Sequence, residues 1–479
     1  MNNAYSTAGK LGVAWNDFVP TPTQSPDELF EQEFEETFED GISWRMPDRG
    51  DVVQGFIGTE HRDIADLASG RELTTILYGE RGERLTFGEV VALAGDHFET
   101  YEEMRDMALT PAGRAKIAWA RWYALDLKKQ KVPEPMADKN FVMERYYLLA
   151  SRNVSHFSAG GTAFRTYTAL HGKAIASALQ AGEQASEQVW RIALTREAFA
   201  LHFLTDMFSA GHVRIPRIAI RAWYQQNMAG DHLLRYMAKF LYDKLGQRNQ
   251  LPMLAQIFSG TAKDKIKDGI VRLGGAAVRT ISVGDIVSLA LHDLDNRGLR
   301  VISELNADGK KIPGGFRWTA VGDAHLHKSV AGATTSKMAT AAVITSLRDL
   351  ERVRGVGRKF AGSRLSAAQR ADAVKKALGS PIFAAAGFVP KEDRTAGANV
   401  SLPSASGGKS PLEWRWGQLG DSTYKVVDET VKNSVANDLH KRLDSVKDQN
   451  IRSALASFVE HLRSEGVRAL VKAVAKNAR

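Results

Sequence analysis

Residues 198–212 read AFALHFLTDMFSAGH. Nearly every position from Ala198 to Phe208 is apolar, the pattern of a helix buried on all sides. His202 and Asp206 interrupt it four residues apart, hence on one helix face. An ionised carboxylate inside a buried helix is costly unless a cation or several donors compensate it. His212 follows six residues later, after Ser209, Ala210 and Gly211, which can turn the chain back. Two imidazoles and a carboxylate within reach of one cation suit zinc. A buried His–Asp hydrogen bond is the alternative that this spacing leaves open.

Other residues of the same chemistry stand in comparable settings. Glu60-His61-Arg62-Asp63 opens a helix after Gly58, and Asp96 follows the apolar run Val90–Ala94 and Gly95. His156 sits in Asn153–Phe157, and His292 ends the run Ile286–Leu291. Singly, each type is common as a structural or solvated residue. Together they form a set large enough for a polynuclear site. A competing cluster, Gly322–His327, alternates its polar residues along an extended chain. His325 is a reserve ligand there, with His327 beside it, and a solvated loop is the plainer reading. The chain has no cysteine, so disulfides and thiolate sites are excluded and any zinc must use His, Asp or Glu.

The elements expected to position these residues are mostly helices. Candidates span 61–69, 163–181, 186–210, a segment ending near Asp295, 333–353 and 365–378. Residues 26–40 are acidic, with Phe30, Phe34 and Phe38 on one helical stripe. Residues 231–280 are basic and helical, and within them His232–Leu245 carries an apolar face suited to core packing or a membrane surface. A turn is expected at Asn306–Gly315, a flexible loop at 391–411 and two basic amphipathic helices within 423–476. Strand signals are few, and no internal repeat is visible. The expected class is mainly α, a multi-helical bundle with an additional helical C-terminal region. The expected organisation is an N-terminal extension (1–40), a zinc-binding catalytic domain (41–335, with 231–280 inserted) and a basic C-terminal region (336–479).

With 479 residues, 44% of them hydrophobic and 25% charged, the chain can bury a large core. A net charge of +9 favours anionic partners, though no Lys/Arg run of nucleic-acid type stands out. Met1–Pro20 lacks the apolar core of a signal peptide, and no apolar stretch reaches the length of a bilayer span. The expectation is a soluble protein without a transmembrane segment, whose export, if any, is independent of a classical signal peptide.

The segments GTEHRDIA (58–65), LTFGEVVALAGD (85–96), NVSHF (153–157), HFLTDMFSAGH (202–212) and LHDLDNRGL (291–299) resemble the zinc metallophospholipase C family. RWTAVGDAHL (317–326) is similar to its proteobacterial phosphatidylcholine-hydrolysing branch. That family shares its fold with the single-strand-specific zinc nucleases. The resemblance implies a trinuclear zinc site, and two to three zinc ions per chain are expected. Asp96, His156, His202 and Asp206 would hold one, His212 and His292 a second, and His61 with bridging Asp206 a third. It further implies hydrolysis of phosphatidylcholine at a membrane surface to diacylglycerol and phosphocholine, with Asp96 orienting or deprotonating the water.

Two departures accompany the resemblance. Where the family has a Glu four residues after the histidine matched by His292, this chain has Asn296; Asp295 is the expected replacement ligand, with Asp293 adjacent. The family also uses a free N-terminal Trp at its third zinc, and here about sixty residues precede His61, with Trp44 among them. Phe98 and Phe157, directly after His97 and His156, are candidates to cage a quaternary ammonium, or else core residues. Asn153 and Glu60 are candidates to orient the imidazoles. A nuclease or nucleotidase on the same fold is the alternative function; nucleic acid is disfavoured because no basic, aromatic strand is evident. A non-catalytic lipid-binding or effector protein is the third class, and the complete His/Asp set argues against it.

Overall fold

The computed structural model describes residues 58–70, 85–125, 154–227, 297–322, 325–326, 330–363, 366–379, 383–395, 397–399 and 449–465. It also describes positions 142, 145, 146, 149, 288, 291, 292, 295, 296, 432, 436, 440 and 443–445. Expectations for residues 26–40, 231–280 and 401–411 lie outside these, as do Trp44, Asn153, Asp293 and His327.

The described part is mainly helical with one small sheet. Its helices are α1 (Gly58–Ser69), α2 (Phe87–Leu93), α3 (Tyr101–Ala108), α4 (Pro111–Ala124), α5 (Thr162–Glu183), α6 (Glu187–Asp206), α7 (Ala210–Val213), α8 (Arg217–Asn227), α9 (Val330–Phe360), α10 (Ala367–Leu378) and α11 (Gln449–Glu465). The strands are β1 (Leu299–Leu305), β2 (Lys311–Ala320) and β3 (Lys391–Glu392). No described helix is long and apolar enough to cross a membrane.

Helix α6 is the central element. Every residue from Glu197 to Asp206 is buried, as the nearly continuous apolar run from Ala198 requires. It pairs with α5, and α9 packs across α5, α1 and α6. Ser186 caps the start of α6, accepting from the Val189 amide at 3.3 Å. Helix α2 begins with a capping box, in which Thr86 and Glu89 each bond the other's backbone N–H. Asp66 of α1 accepts from the Gly88 amide at 2.8 Å and from Thr86 Oγ1 at 3.2 Å, which fixes α1 against α2.

Two expectations meet the structure directly. The expected boundary at 335/336 falls inside α9, and Met338, Ala342, Val343, Leu350 and Val353 share one apolar core with α5 and α6. The apolar stripe of α9 needs that core to be buried, so α9 belongs to the main body. The expected loop from 391 begins instead as β3, held on β1 by the register Ile302↔Lys391 and Val301↔Glu392. Beyond it, Asp393 donates its amide to Arg300 O at 3.0 Å, and Asn399 Nδ2 bonds the same carbonyl at 2.8 Å.

The sheet order is β2-β1-β3, antiparallel throughout. The expected turn at Asn306–Gly315 overlaps the β1–β2 connection, where Asn306 Oδ1 accepts from the Asp308 and Lys310 amides at 3.1 and 2.9 Å.

A second polar cluster lies between α5, α6 and α9. His171 Nδ1 is 2.7 Å from Glu197 Oε2, Tyr167 OH is 2.7 Å from Ser346 Oγ, and Ser346 Oγ donates to Glu197 Oε1. Asp349 is buried beside them, its Oδ1 3.4 Å from Arg352 Nη1. Burial pushes its carboxyl up to about 6, against the pull of His171 and Arg352 and with the push of Glu197.

Candidate metal centre

Asp206, at the last turn of α6, is the hub. Its Oδ2 lies 2.6 Å from His156 Nδ1 and 3.4 Å from His202 Nε2. Its Oδ1 lies 3.4 Å from both His61 Nε2 and His212 Nδ1. Donor atoms of His156, His202 and Asp206 all fall within 4.8 Å of one another, and so do those of His61, Asp96 and His202. His212 continues the array, its ring centroid 5.0 Å from that of His292. Seven of the eight expected ligands are therefore gathered: His61, Asp96, His156, His202, Asp206, His212 and His292. All are buried.

Local structure delivers each one. His61 leads the inner face of α1, and His202 and Asp206 share a face of α6. Asp96 sits in a tight turn closed by Gly95 N–H to Phe98 O (2.9 Å) and Asp96 N–H to Ala94 O (2.8 Å). Gly95 has φ +73°, and a Cβ there would overlap the His202 ring, so glycine is required for conformation and for space. His156 ends a 3₁₀ turn (Val154–His156), anchored where Ser158 N–H meets His212 O at 2.8 Å. Helix α6 stops at Asp206, short of the expected 210, and α7 carries His212 back toward it. Gly211 faces His292 so closely that a Cβ would overlap that ring.

The outer hydrogen bonds fix the imidazoles. His202 Nδ1 lies 3.0 Å from the Val91 carbonyl, which can only accept, so Nδ1 carries the proton. The neutral ring then presents a bare Nε2 to Asp206 Oδ2, and to His156 Nδ1 at 3.3 Å. His61 Nδ1 is 2.7 Å from Thr205 Oγ1, whose hydroxyl donates to the Leu201 or His202 carbonyl at 2.8 or 2.9 Å. With Nδ1 donating to Thr205, His61 turns its Nε2 toward Asp206 Oδ1 at 3.4 Å. An unprotonated imidazole nitrogen aimed at a carboxylate is repelled unless a proton or a metal cation lies between them.

The electrostatics agree. Burial lowers His202 well below the usual imidazole range, with His61 and His156 adding to the shift against Asp206. Burial likewise takes His212 down to about 4, helped by His292 and His156. Both are neutral at ordinary pH, the form a metal needs. Burial alone would raise Asp206, but His156, His202 and His212 hold it well below the usual carboxylate range. Burial would lower His156, yet Asp206 and Asp96 raise it, so this ring takes the proton that a cation would displace. Burial lifts Asp96 to about 6, its charge favoured by His156 and His61 and opposed by Asp206.

Other expected residues have different surroundings. Asp295 meets Arg214, with Nε to Oδ2 at 2.8 Å and Nη2 to Oδ1 at 2.7 Å. The carboxylate expected to complete the second ion is thus engaged by a guanidinium. Asn296 faces the histidines instead, its Nδ2 3.3 and 3.2 Å from His292 Nδ1 and Nε2, its Oδ1 accepting from Gly211 N at 2.6 Å and Ser209 Oγ at 3.1 Å. Phe98 is 2% exposed within the apolar core. Phe157 lies against His212 (4.6 Å between centroids) and His292 (6.2 Å), with the Arg217 guanidinium 5.7 Å above it. His325 is exposed. Glu60 accepts from the Leu326 amide at 3.2 Å, tying segment 317–326 to α1.

Thr205 and Arg214 escape a reading by residue type. Thr205 adjoins Asp206 in an apolar helix, which is a usable signal; the partner of Arg214 is 81 residues away. The chain matches no family model, no curated protein and no solved structure.

Proposed function

We propose that this chain is a zinc-dependent phosphodiester hydrolase of the phospholipase C type, acting on phosphatidylcholine at a membrane surface. The observation that carries the metal half of this reading is the hydrogen bond from His202 Nδ1 to Val91, which turns a bare Nε2 into a pocket of carboxylate oxygens and imidazole nitrogens. Histidine and aspartate donors without thiolate suit zinc. The phosphodiester half rests on the resemblance of the motif set and on the net charge of +9, which favours anionic substrates.

His156, His202, Asp96 and Asp206 would hold one ion, and His212 and His292 a second, with His61 and the far oxygen of Asp206 available to a third. Bound zinc supplies Lewis-acid polarisation of the phosphoryl oxygens and lowers the pKa of water toward ~7. Asp206 directs one oxygen to each side and holds the two halves together. Asp96, whose carboxyl burial raises in the metal-free site, would hold an ion there and orient the attacking water. Val91 and Thr205 orient His202 and His61. Phe157 walls the His212–His292 side.

The test measures zinc content and hydrolysis of phosphatidylcholine and single-stranded DNA in parallel. The expected result is bound zinc with preferential release of phosphocholine. Zinc with preferential cleavage of DNA moves the assignment to the nuclease class, and a zinc-free, inactive protein removes it.

A further inference from the structure

His212 and His292 come from segments far apart in the chain, and a compact polar clasp joins them. Arg214, two residues after His212, grips Asp295, three residues after His292, through two parallel hydrogen bonds of 2.8 and 2.7 Å. Both side chains are buried. The third guanidinium edge, Nη1, reaches Glu392 Oε1 on β3 at 2.5 Å. Asn296 fills the space between, bonding Gly211 N–H and Ser209 Oγ while its carbonyl accepts from Gly322 N at 3.0 Å.

A buried ion pair is weak evidence for stability, because desolvation offsets most of its Coulomb gain. A bidentate Arg–carboxylate fork does fix distance and plane together. Here it fixes them between the two backbones that carry His212 and His292. We propose that the Arg214–Asp295 pair is a positioning clamp, which sets the separation of His212 and His292 and thereby the affinity of the half of the metal centre that they form. Glu392 extends the clamp to the sheet. Strand β3 pairs with β1, and β1 starts four residues after Asp295, so sheet and clamp form one closed unit. The proposal rests on the metal-centre reading given above.

A clamp and a direct ligand respond in opposite ways to loss of Arg214. If Asp295 were a ligand, removing the competing guanidinium would leave metal affinity intact or improve it. If Asp295 acts through Arg214, either change loosens the same ion. The experiment is zinc titration of the full chain by calorimetry against a competing chelator, with cobalt(II) absorption spectra as an independent signature. The proteins are the wild type, Arg214→Lys, Asp295→Asn and the double variant. Each single substitution is expected to weaken one ion, that of the His212–His292 half, by ~10–100-fold, the range for groups that orient ligands, and to change the cobalt spectrum while the remaining zinc binding keeps its wild-type strength. The double variant should match either single one, because the two residues act as a unit.

Loss of that ion in Asp295→Asn with wild-type affinity in Arg214→Lys overturns the clamp in favour of a ligand. Lower melting temperatures with unchanged zinc affinities and spectra overturn it in favour of a plain structural ion pair. Should the buried variants fail to fold, Glu392→Gln tests the same link from the half-exposed sheet edge. A several-fold weaker ion supports the clamp, and unchanged affinities overturn it. A wild type that takes up no zinc refutes the metal centre itself, and is distinguishable because no variant is needed to see it.

Discussion

The Nδ1 of His202 lies 3.0 Å from the backbone carbonyl of Val91, on a helix more than a hundred residues earlier in the chain. That bond fixes the tautomer and points Nε2 at Asp206. Val91 is in turn held by the capping box of α2 and by Asp66, so the orientation of one imidazole is supported by two helices.

Replacing Thr205 by Val removes the hydroxyl that orients His61 and keeps the side-chain shape. The protein should fold, and zinc affinity should fall by ~10–100-fold. Calorimetric titration checks this; affinity equal to wild type shows that His61 is held by other means.

Gly95→Ala places a methyl group against His202 in a left-handed backbone. The cost should be on the order of 1–3 kcal/mol, with zinc uptake reduced because His202 is displaced. Melting curves and zinc analysis of the variant decide it. A variant as stable and as metal-loaded as wild type contradicts the packing described at the Asp96 turn.

Chelation should lower the melting temperature. A ligand at a hundredfold excess over its dissociation constant stabilises a fold by ~2.7 kcal/mol, which for a chain of this size is on the order of 3 °C per ion. An unchanged melting curve after exhaustive chelation shows that the histidines and carboxylates satisfy each other without metal.

The cluster at the α5–α6–α9 junction has its own pH signature. Asp349 holds its proton more tightly folded (pKa about 6) than at its ordinary value of 3.8. Its favourable contribution is complete below pH ~4 and is lost as pH rises through about 6. Asp349→Asn stays neutral throughout. It should therefore melt a few degrees above wild type at pH 7–8, and the gap should close toward pH 4. A gap that widens on acidification reverses the assigned sign.

The sequence made some of this legible and hid the rest for physical reasons. An apolar run in which His202 and Asp206 stand out can be read locally, and the half of α6 from Glu197 to Asp206 is buried as that pattern demands. His61, Asp96, His156, His212 and His292 could be named from their motifs, but their gathering around Asp206, with His292 joined through His212, is a tertiary fact. Asp295 shows the limit. Its spacing from His292 suits a ligand, and only the fold reveals Arg214 beside it. The β1–β2 hairpin was hidden because Pro313, Gly314 and Gly315 break the strand pattern and Ser303 takes an inward position. Glu197 carried the signal that exposed Asp206, a charge in an apolar helix, with His171 of α5 and Ser346 of α9 as its partners.

The most direct test of the metal centre is elemental analysis of the purified full-length protein beside Asp206→Asn. The account predicts about two to three zinc ions per chain in the wild type, and at most one, weakly held, in the variant, since Asp206 is the oxygen donor shared by both halves. A wild type without zinc, or an Asp206→Asn protein with the full complement, contradicts it.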